Sequence, residues 1–348
     1  MQTDVTNEVL VIGAEGSTQG IFDPSLVYPG DAPGGAMAYT SVPTQDTLRT
    51  RIALSADHGA TWYYSAEANT PQVLTISSSD AARCPGGTCS GKLIHEVSSL
   101  VLDPLDPNPN RVWKLFTHAY MFLDGAGISY EYGAIMLSTS PQPQGPWSAA
   151  QKLIGWNSPS PISSDGAGAL ISAYPAFADC VVLTEPTAMF APDGALYLAL
   201  GCVHFAPGPA IRIILTRSAD HAQSFEAIGT LLHGDDAECL GAGQPRVNAA
   251  NLMLVNGQPH LVVSRDAPPP LAYQGCDVIR ITDLNTASVE READGSVRVL
   301  RRFEAPNQRF SGACAFAEGA TSVGYAVSVG FFEDARRFRI LRAPVTAP

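Results

Sequence analysis

The chain has 348 residues, a formal net charge of −12 at pH 7 and only 16% charged residues. Gly (31) and Pro (27) together make one residue in six, which argues against a helical bundle or coiled coil, and an apolar share of 45% rules out global disorder. The acidic balance, with Lys92, Lys114 and Lys152 the only lysines, argues against a nucleic-acid partner, and no apolar run nears the roughly 18 residues of a membrane-spanning helix.

The first residues, MQTDVTNEVL, carry neither the basic nor the apolar region of a signal peptide. That leaves an intracellular chain or one whose leader has been removed. Cysteine usage favours the second, in a secreted or periplasmic setting. Cys84 and Cys89 bracket a Pro-Gly-Gly turn that brings their sulfurs together. Cys180 with Cys202, and Cys239 with Cys276, are the further expected pairs, leaving Cys314 over and buried. Zinc would need a second cysteine pair at CxxC-like spacing, and there is none. The alternative is seven unpaired thiols in a cytosolic protein.

Along the chain one unit recurs: an apolar strand, a tight turn, a second apolar strand, then a third ending in a polar turn. Its first two strands read clearly at 21–42, 97–120, 183–202, 246–264 and 309–329. The turns hold Pro-Gly-Asp, Asp-Pro-Asn, Pro-Asp-Gly, Asn-Gly and Glu-Gly, which is hairpin chemistry. Third strands follow as TRIALS, YGAIMLSTS, IRIILTRS, CDVIRIT and RRFRILR. Five copies at roughly 65 to 85 residues predict a single all-β domain, a five-bladed β-propeller with about four antiparallel strands per blade. The blades are expected at 21–80, 92–155, 180–235, 244–303 and 308–348, with the N-terminal strand 7–13 closing the ring. A sandwich or barrel is the alternative, but neither requires the unit to restart five times.

In a propeller the innermost strands line the axis, so residues at their starts, and at the ends of the antiparallel second strands, converge on one mouth. First-strand starts nominate Asp23, Ser98, Ser99, Glu185, Asn248 and Arg309. Second-strand ends nominate His118, Tyr120, His204, Arg265 and Asp266. Asp23 in F-D-P-S and Glu185 in T-E-P-T share an acidic-Pro arrangement. Two carboxylates across an apolar-walled channel can differ in pKa, one serving as base and the other as acid, which is the pair glycoside hydrolysis needs. The bland alternative is that both cap turns. His118 and His204, at matching places in adjacent units, suit a sugar contact, acid–base work or a divalent cation in the axial channel. The alternative is a structural His bonded to backbone. Trp62 and Trp147 close blade turns. The Ser/Gly/Pro-rich segment 155–182, with Trp156, Tyr174 and Phe177, is expected to fold over the mouth.

SADHGATW (55–62) resembles the Asp box of sialidase-type propellers, SADHAQSF (218–225) repeats it with Ala222 for Gly, and STSPQPQGPW (138–147) stands at the equivalent place. With D-P-S at Asp23, the acidic-Pro motif at Glu185, APDGALYL at 191–198 and G-P-W at 145–147, the whole chain resembles the five-bladed propeller glycosidases. These are the arabinanase and β-xylosidase family and, more distantly, the invertase family. The resemblance implies that Asp23 is a general base and that Glu185 is either the general acid or the acid that tunes it. In the second case the acid belongs near Asn248, where R-V-N-A-A-N has no carboxylate, and Asp179 or Glu238 would have to substitute. The expected activity is hydrolysis of an arabinose-, xylose- or fructose-type glycoside, on a small-molecule or oligosaccharide substrate, with Tyr120, Asn248, Arg265 and Arg309 among its contacts. A lyase or metal-assisted enzyme using His118 and His204, or a non-catalytic sugar-binding propeller, are the other readings.

Overall fold

The structure is a computed structural model and describes residues 7–29, 33–77, 82, 84–155, 169–170, 174–177, 179–204, 210–241, 245–267, 272–303, 310–316, 322–329 and 337–344. Strand β1 (Asn7–Glu8) joins the last sheet. The first sheet holds β2 (Val11–Ile12), β3 (Ile21–Val27), β4 (Gly35–Ser41), β5 (Arg49–Ser55) and β6 (Trp62–Glu67), in the order β2-β6-β5-β4-β3. The second holds β7 (Gln72–Ser77), β8 (Thr88–Leu102), β9 (Trp113–Leu123), β10 (Gly127–Ser140), β11 (Gln151–Gly155) and β12 (Ala169–Leu170), in the order β12-β11-β10-β9-β8-β7. The third runs in sequence through β13 (Val182–Phe190), β14 (Leu196–His204), β15 (Ala210–Ser218) and β16 (Glu226–Leu232). A short helix, α1 (Gly234–Cys239), leads to β17 (Val247–Val255), β18 (Gln258–Ala267), β19 (Ala272–Asp283), β20 (Ser288–Val289), β21 (Val299–Phe303), β22 (Phe310–Ala315), β23 (Ser322–Val329) and β24 (Arg337–Pro344). With β1 these eight make one nine-stranded sheet.

The all-β propeller expected from the repeats is therefore present, but the count of five blades is corrected to four. A parallel bridge between Gln274 on β19 and Ser311 on β22 merges the fourth and fifth units into one double-width sheet. The Asp-Pro-Asn, Pro-Asp-Gly and Asn-Gly turns join paired strands as their chemistry predicts, while the Pro-Gly-Asp and Glu-Gly turns fall mostly outside the described residues. Asn256 (φ 51°) and Gly257 (φ 72°) both lie in the left-handed region, as a two-residue type I′ turn requires. The segment expected as one closing strand at 7–13 is divided: Asn7 pairs with Arg342 and Glu8 with Leu341 on β24, whereas Val11 and Ile12 pair with Trp62 and Tyr63 of the first sheet.

Strands β3, β8, β13, β17 and β22 each contact the next around the axis, and β22 returns to β3. Each carries a bulge at the same step, where its register with the neighbouring strand slips. At each bulge one residue takes a positive φ: Asp23 (49°), Val97 (45°), Glu185 (50°), Ala249 (47°) and Ala313 (54°). None is glycine, so the conformation is costly at each and persists because the surroundings hold it. Two residues further on, a side-chain oxygen accepts the backbone N–H of the next inner strand. Ser25 accepts from Leu100 at 2.9 Å, Ser99 from Ala188 at 2.8 Å, Thr187 from Leu252 at 2.8 Å and Asn251 from Phe316 at 3.4 Å. These contacts satisfy buried donors that a bulge would otherwise orphan.

The sheets pack face to face through apolar clusters, the largest joining Tyr197, Leu215 and Leu231 of the third sheet to Val247, Leu261 and Val263 of the double-width one. A polar clasp spans the second and third sheets. The fully buried Lys114 ammonium reaches Asp106 at 2.7 Å and Asp103 at 3.1 Å, and Asp103 also meets His221 at 2.9 Å. Asp103, Asp106 and His221 together have the spacing of metal ligands, but the ammonium already stands among them. Lys114→Met would remove the ammonium from two buried carboxylates, leaving Asp106 only Arg111 at 3.5 Å and Asp103 only His221 as ion-pair partners among the described residues, and is expected to cost about 3–5 kcal/mol, measured by urea unfolding; a loss under 1 kcal/mol would show the clasp to be incidental.

The turns at 55–62 and 218–225 fold alike. Ser55 and Ser218 hydroxyls bond Asp57 and Asp220 (2.9 and 2.8 Å), and those carboxylates accept the backbone N–H of Thr61 and Ser224, each at 2.8 Å. Disulfides Cys84–Cys89 and Cys180–Cys202 are as expected. The third pairing is corrected: Cys276 bonds Cys314, and Cys239 is free and exposed. Parallel contact between β19 and β22 brings Cys276 to Cys314, whereas Cys239 ends helix α1 on the surface. Phe177 is buried in the apolar core with Tyr174 packed against it, so neither is spare for a ligand; Trp156 and most of 155–182 lie outside the described residues.

Candidate active site

The bulges fix the site because a positive φ re-aims the side chain at that step. Asp23 and Glu185 occupy the same step on β3 and β13, so equivalent backbone geometry directs both carboxylates to the axis. Both are buried, at 8% exposure, yet electrostatically coupled. Burial raises Asp23 well above the usual carboxylate range, and the negative charges of Glu185 and then Glu96 add to the rise. Burial pushes Glu185 up to about 8, with Glu96 and Asp266 adding and hydrogen bonds from Ala249 and Tyr273 opposing. Glu185 thus lies close enough for its charge to act on Asp23.

A third carboxylate stands with them. Glu96 immediately precedes the β8 bulge and is pushed up by burial to about 7, a hydrogen bond from Tyr120 working against the rise. Sequence reasoning nominated Ser98 and Ser99 on this strand instead. Aligning the bulge signal itself, D-P-S at 23–25 against V-S-S at 97–99, would have placed Glu96 one step from the acidic position.

Around Glu96 the second sheet builds an aromatic wall. Strand β8 starts nine residues before its bulge, against two or three for the other inner strands, so its hairpin with β9 and β10 stands well above the mouth. Tyr120 is buried with its ring 4.7 Å from Tyr130, and the His118 imidazole lies 5.9 Å from Tyr130 at 14°. Tyr130 keeps 40% exposure while the charges of Glu96 and Glu185 act on it. His118 is fully buried and held neutral, pushed down to about 3 by burial. Its Nδ1 lies 3.0 Å from the Thr184 hydroxyl.

His118 and His204 do not stand at matching places. His118 pairs with Glu96, one step before the bulge of its sheet, whereas in the third sheet that step pairs Thr184 with Gly201. His204 lies three residues beyond Gly201, on the opposite face of the pleat. It stands near Asp179. Asp179 is exposed and paired with Arg212 at 2.6 Å, and Glu238 is exposed on helix α1, so neither carboxylate joins the mouth. Asn248 donates from Nδ2 to the Tyr273 hydroxyl at 3.0 Å. Arg265 donates to the Gln274 carbonyl and lies 3.4 Å from Asp277, while its neighbour Asp266, paired with Arg246 at 2.9 Å, faces Glu185. Arg309 lies outside the described residues.

Glu185 is gripped on both oxygens. Oε2 accepts the Ala249 N–H and Oε1 accepts the Tyr273 hydroxyl at 3.2 Å. The first contact reflects a break in the repeat. At two other places a hydroxyl opposite the bulge takes the next bulge's N–H: Thr40 from Val97 at 3.1 Å, and Ser264 from Ala313 at 2.8 Å. Opposite the third bulge stands Gly201, with no side chain to offer, and the Ala249 N–H turns to Glu185.

No protein-family model and no curated protein matches the sequence. Solved structures do. A thermostable family-43 glycoside hydrolase matches with a TM-score of 0.59 at 12% identity, over 99% of this chain and 94% of that one. An endo-arabinase from Bacteroides thetaiotaomicron matches at 0.54 and 14%, over 99% and 98%. An α-L-arabinofuranosidase from Podospora anserina matches at 0.54 and 11%, over 99% and 96%. At such identities the likeness is one of fold: the chain is built as propeller glycoside hydrolases are built, along its whole length.

Proposed function

We propose that the chain is a glycoside hydrolase acting on an arabinose-, xylose- or fructose-type glycoside. The observation that carries this is the pair Asp23 and Glu185, set by identical bulges on two inner strands and coupled in one buried mouth. Like charges in a low-dielectric site cannot all ionise together, so the protons sort between them. Glu185, with a pKa of about 8, holds its proton at neutral pH and is the general acid, passing that proton to the glycosidic oxygen as the bond to the anomeric carbon breaks. With Glu185 neutral, the main repulsion on Asp23 is relieved. In its ionised form Asp23 acts as general base, taking the proton of the water that attacks the anomeric carbon. Glu96, fixed by Tyr120, sets the charge that Glu185 feels.

Tyr130 gives the sugar a partly exposed aromatic face beside the acids. Tyr130→Ala is expected to raise KM about 3- to 10-fold with kcat within twofold, the scale of one aromatic contact, measured in steady-state assays; an unchanged KM would move the sugar away from this wall. Three disulfides support an oxidising, secreted or periplasmic setting.

The deciding experiment is a screen of 4-nitrophenyl α-L-arabinofuranoside, β-D-xylopyranoside and β-D-fructofuranoside, with and without chelator. Turnover that survives the chelator and depends on Asp23 supports the proposal. Turnover abolished by the chelator supports metal-assisted chemistry instead, and saturable binding of the free sugars without turnover supports a binding propeller.

A further inference from the structure

The bulge step that carries Asp23 on β3 and Glu185 on β13 carries alanine on β17 and β22. Ala249 and Ala313 leave room at the axis, and the Tyr273 ring, like that of Phe22, packs against the cluster the two alanines form. The seat is close-fitting. A Cβ added to Gly312 would come within 2.6 Å of both Cβ and Cδ2 of Tyr273, so only glycine admits the ring there. From this seat the hydroxyl reaches across to Glu185 Oε1 at 3.2 Å while accepting from Asn248 Nδ2 at 3.0 Å. Asn248 is itself buried, at 3% exposure. A phenol whose lone pair is taken by an amide donor has its one proton free for a single purpose, and that proton points at the carboxyl group.

We propose that Tyr273, braced by Asn248 and seated on Gly312, is a positioning residue for Glu185: it holds the carboxyl group and donates to the conjugate base left once Glu185 has given up its proton. The inference rests on the hydrolase reading for its kinetic consequence but not for its electrostatic one. A donor to the ionised form lowers a carboxyl pKa. Without it Glu185 stays protonated to higher pH and becomes a weaker acid towards the leaving group.

The test is Tyr273→Phe, which removes only the hydroxyl, with the Glu185 carboxyl followed by 13C NMR titration of glutamate-labelled protein and assigned by its loss in Glu185→Gln. The midpoint is expected to move upward by about one pH unit in Tyr273→Phe, and by less, in the same direction, in Asn248→Ala. On the aryl glycoside that the wild type hydrolyses, the alkaline limb should move with it. Turnover should fall about tenfold on unactivated leaving groups and stay within twofold on a 2,4-dinitrophenyl glycoside, which needs no proton. An unmoved Glu185 midpoint in a folded Tyr273→Phe overturns the proposal whatever the activity. A midpoint that moves in a protein hydrolysing none of the glycosides upholds the positioning role and removes the hydrolase reading.

Discussion

Asp23→Asn is expected to lower kcat/KM by about 10²- to 10⁴-fold, the worth of a positioned proton acceptor, with little change in thermal stability. The substitution suits the test because the backbone there has φ 49°, and Asn, like Asp, tolerates the left-handed region better than other branched or bulky residues. It also removes a carboxylate that burial and two acidic neighbours already disfavour in its charged form, so the fold loses no favourable charge contact. Melting by circular dichroism beside the kinetics separates the two effects. Full activity in a folded variant would remove Asp23 from the chemistry and with it the proposed reaction.

The companion result concerns Glu185→Gln. Turnover of glycosides with poor leaving groups should drop by about 10²- to 10⁴-fold, while a dinitrophenyl glycoside loses less than tenfold, since its leaving group departs without a proton. The pH profile carries the sharper signature. In the wild type the proton on Glu185 is lost as pH rises through about 8, so kcat/KM should fall above that value, and in the variant this alkaline limb should vanish. An unchanged rate on poor leaving groups would reassign Glu185 to holding the Ala249 N–H and nothing more.

Much of this architecture could be read from residues in order. Hairpin turns such as Asn256-Gly257 state their own geometry, and an apolar unit restarting after each one implies sheets arranged about an axis. Asp23 and Glu185 were visible because proline follows each and the unit places them alike. What stayed hidden depends on relations between strands. The bridge from Gln274 to Ser311, which turns two expected blades into one, is a contact between segments with no shared sequence signal. Cys276 chose Cys314 over Cys239 through that same adjacency. Glu96 escaped notice because the repeat was aligned on its apolar residues and not on its bulge, a shift of one step that exchanges the faces of a strand. The supposed match of His118 with His204 failed for a related reason: counting along each second strand from its end, instead of across to its partner, misplaced His204 by three residues. Tyr273 has no motif at all, since its position follows from the smallness of Ala249, Ala313 and Gly312.

The belt of side-chain oxygens that runs from β3 through β8, β13 and β17 to Phe316, just beyond β22, has a mechanical consequence. In an open array of repeats, a terminal unit can peel away while the others stand. Here Asn7 and Glu8 on β1 are stitched to Arg342 and Leu341 on β24, and the Phe338 N–H donates to the Gln19 carbonyl at 2.7 Å. The first and last described strands thus hold each other in place. Slackening any one unit strains the spacing of all the others, and the carboxylates at the hub keep their mutual distances only while the hoop is whole.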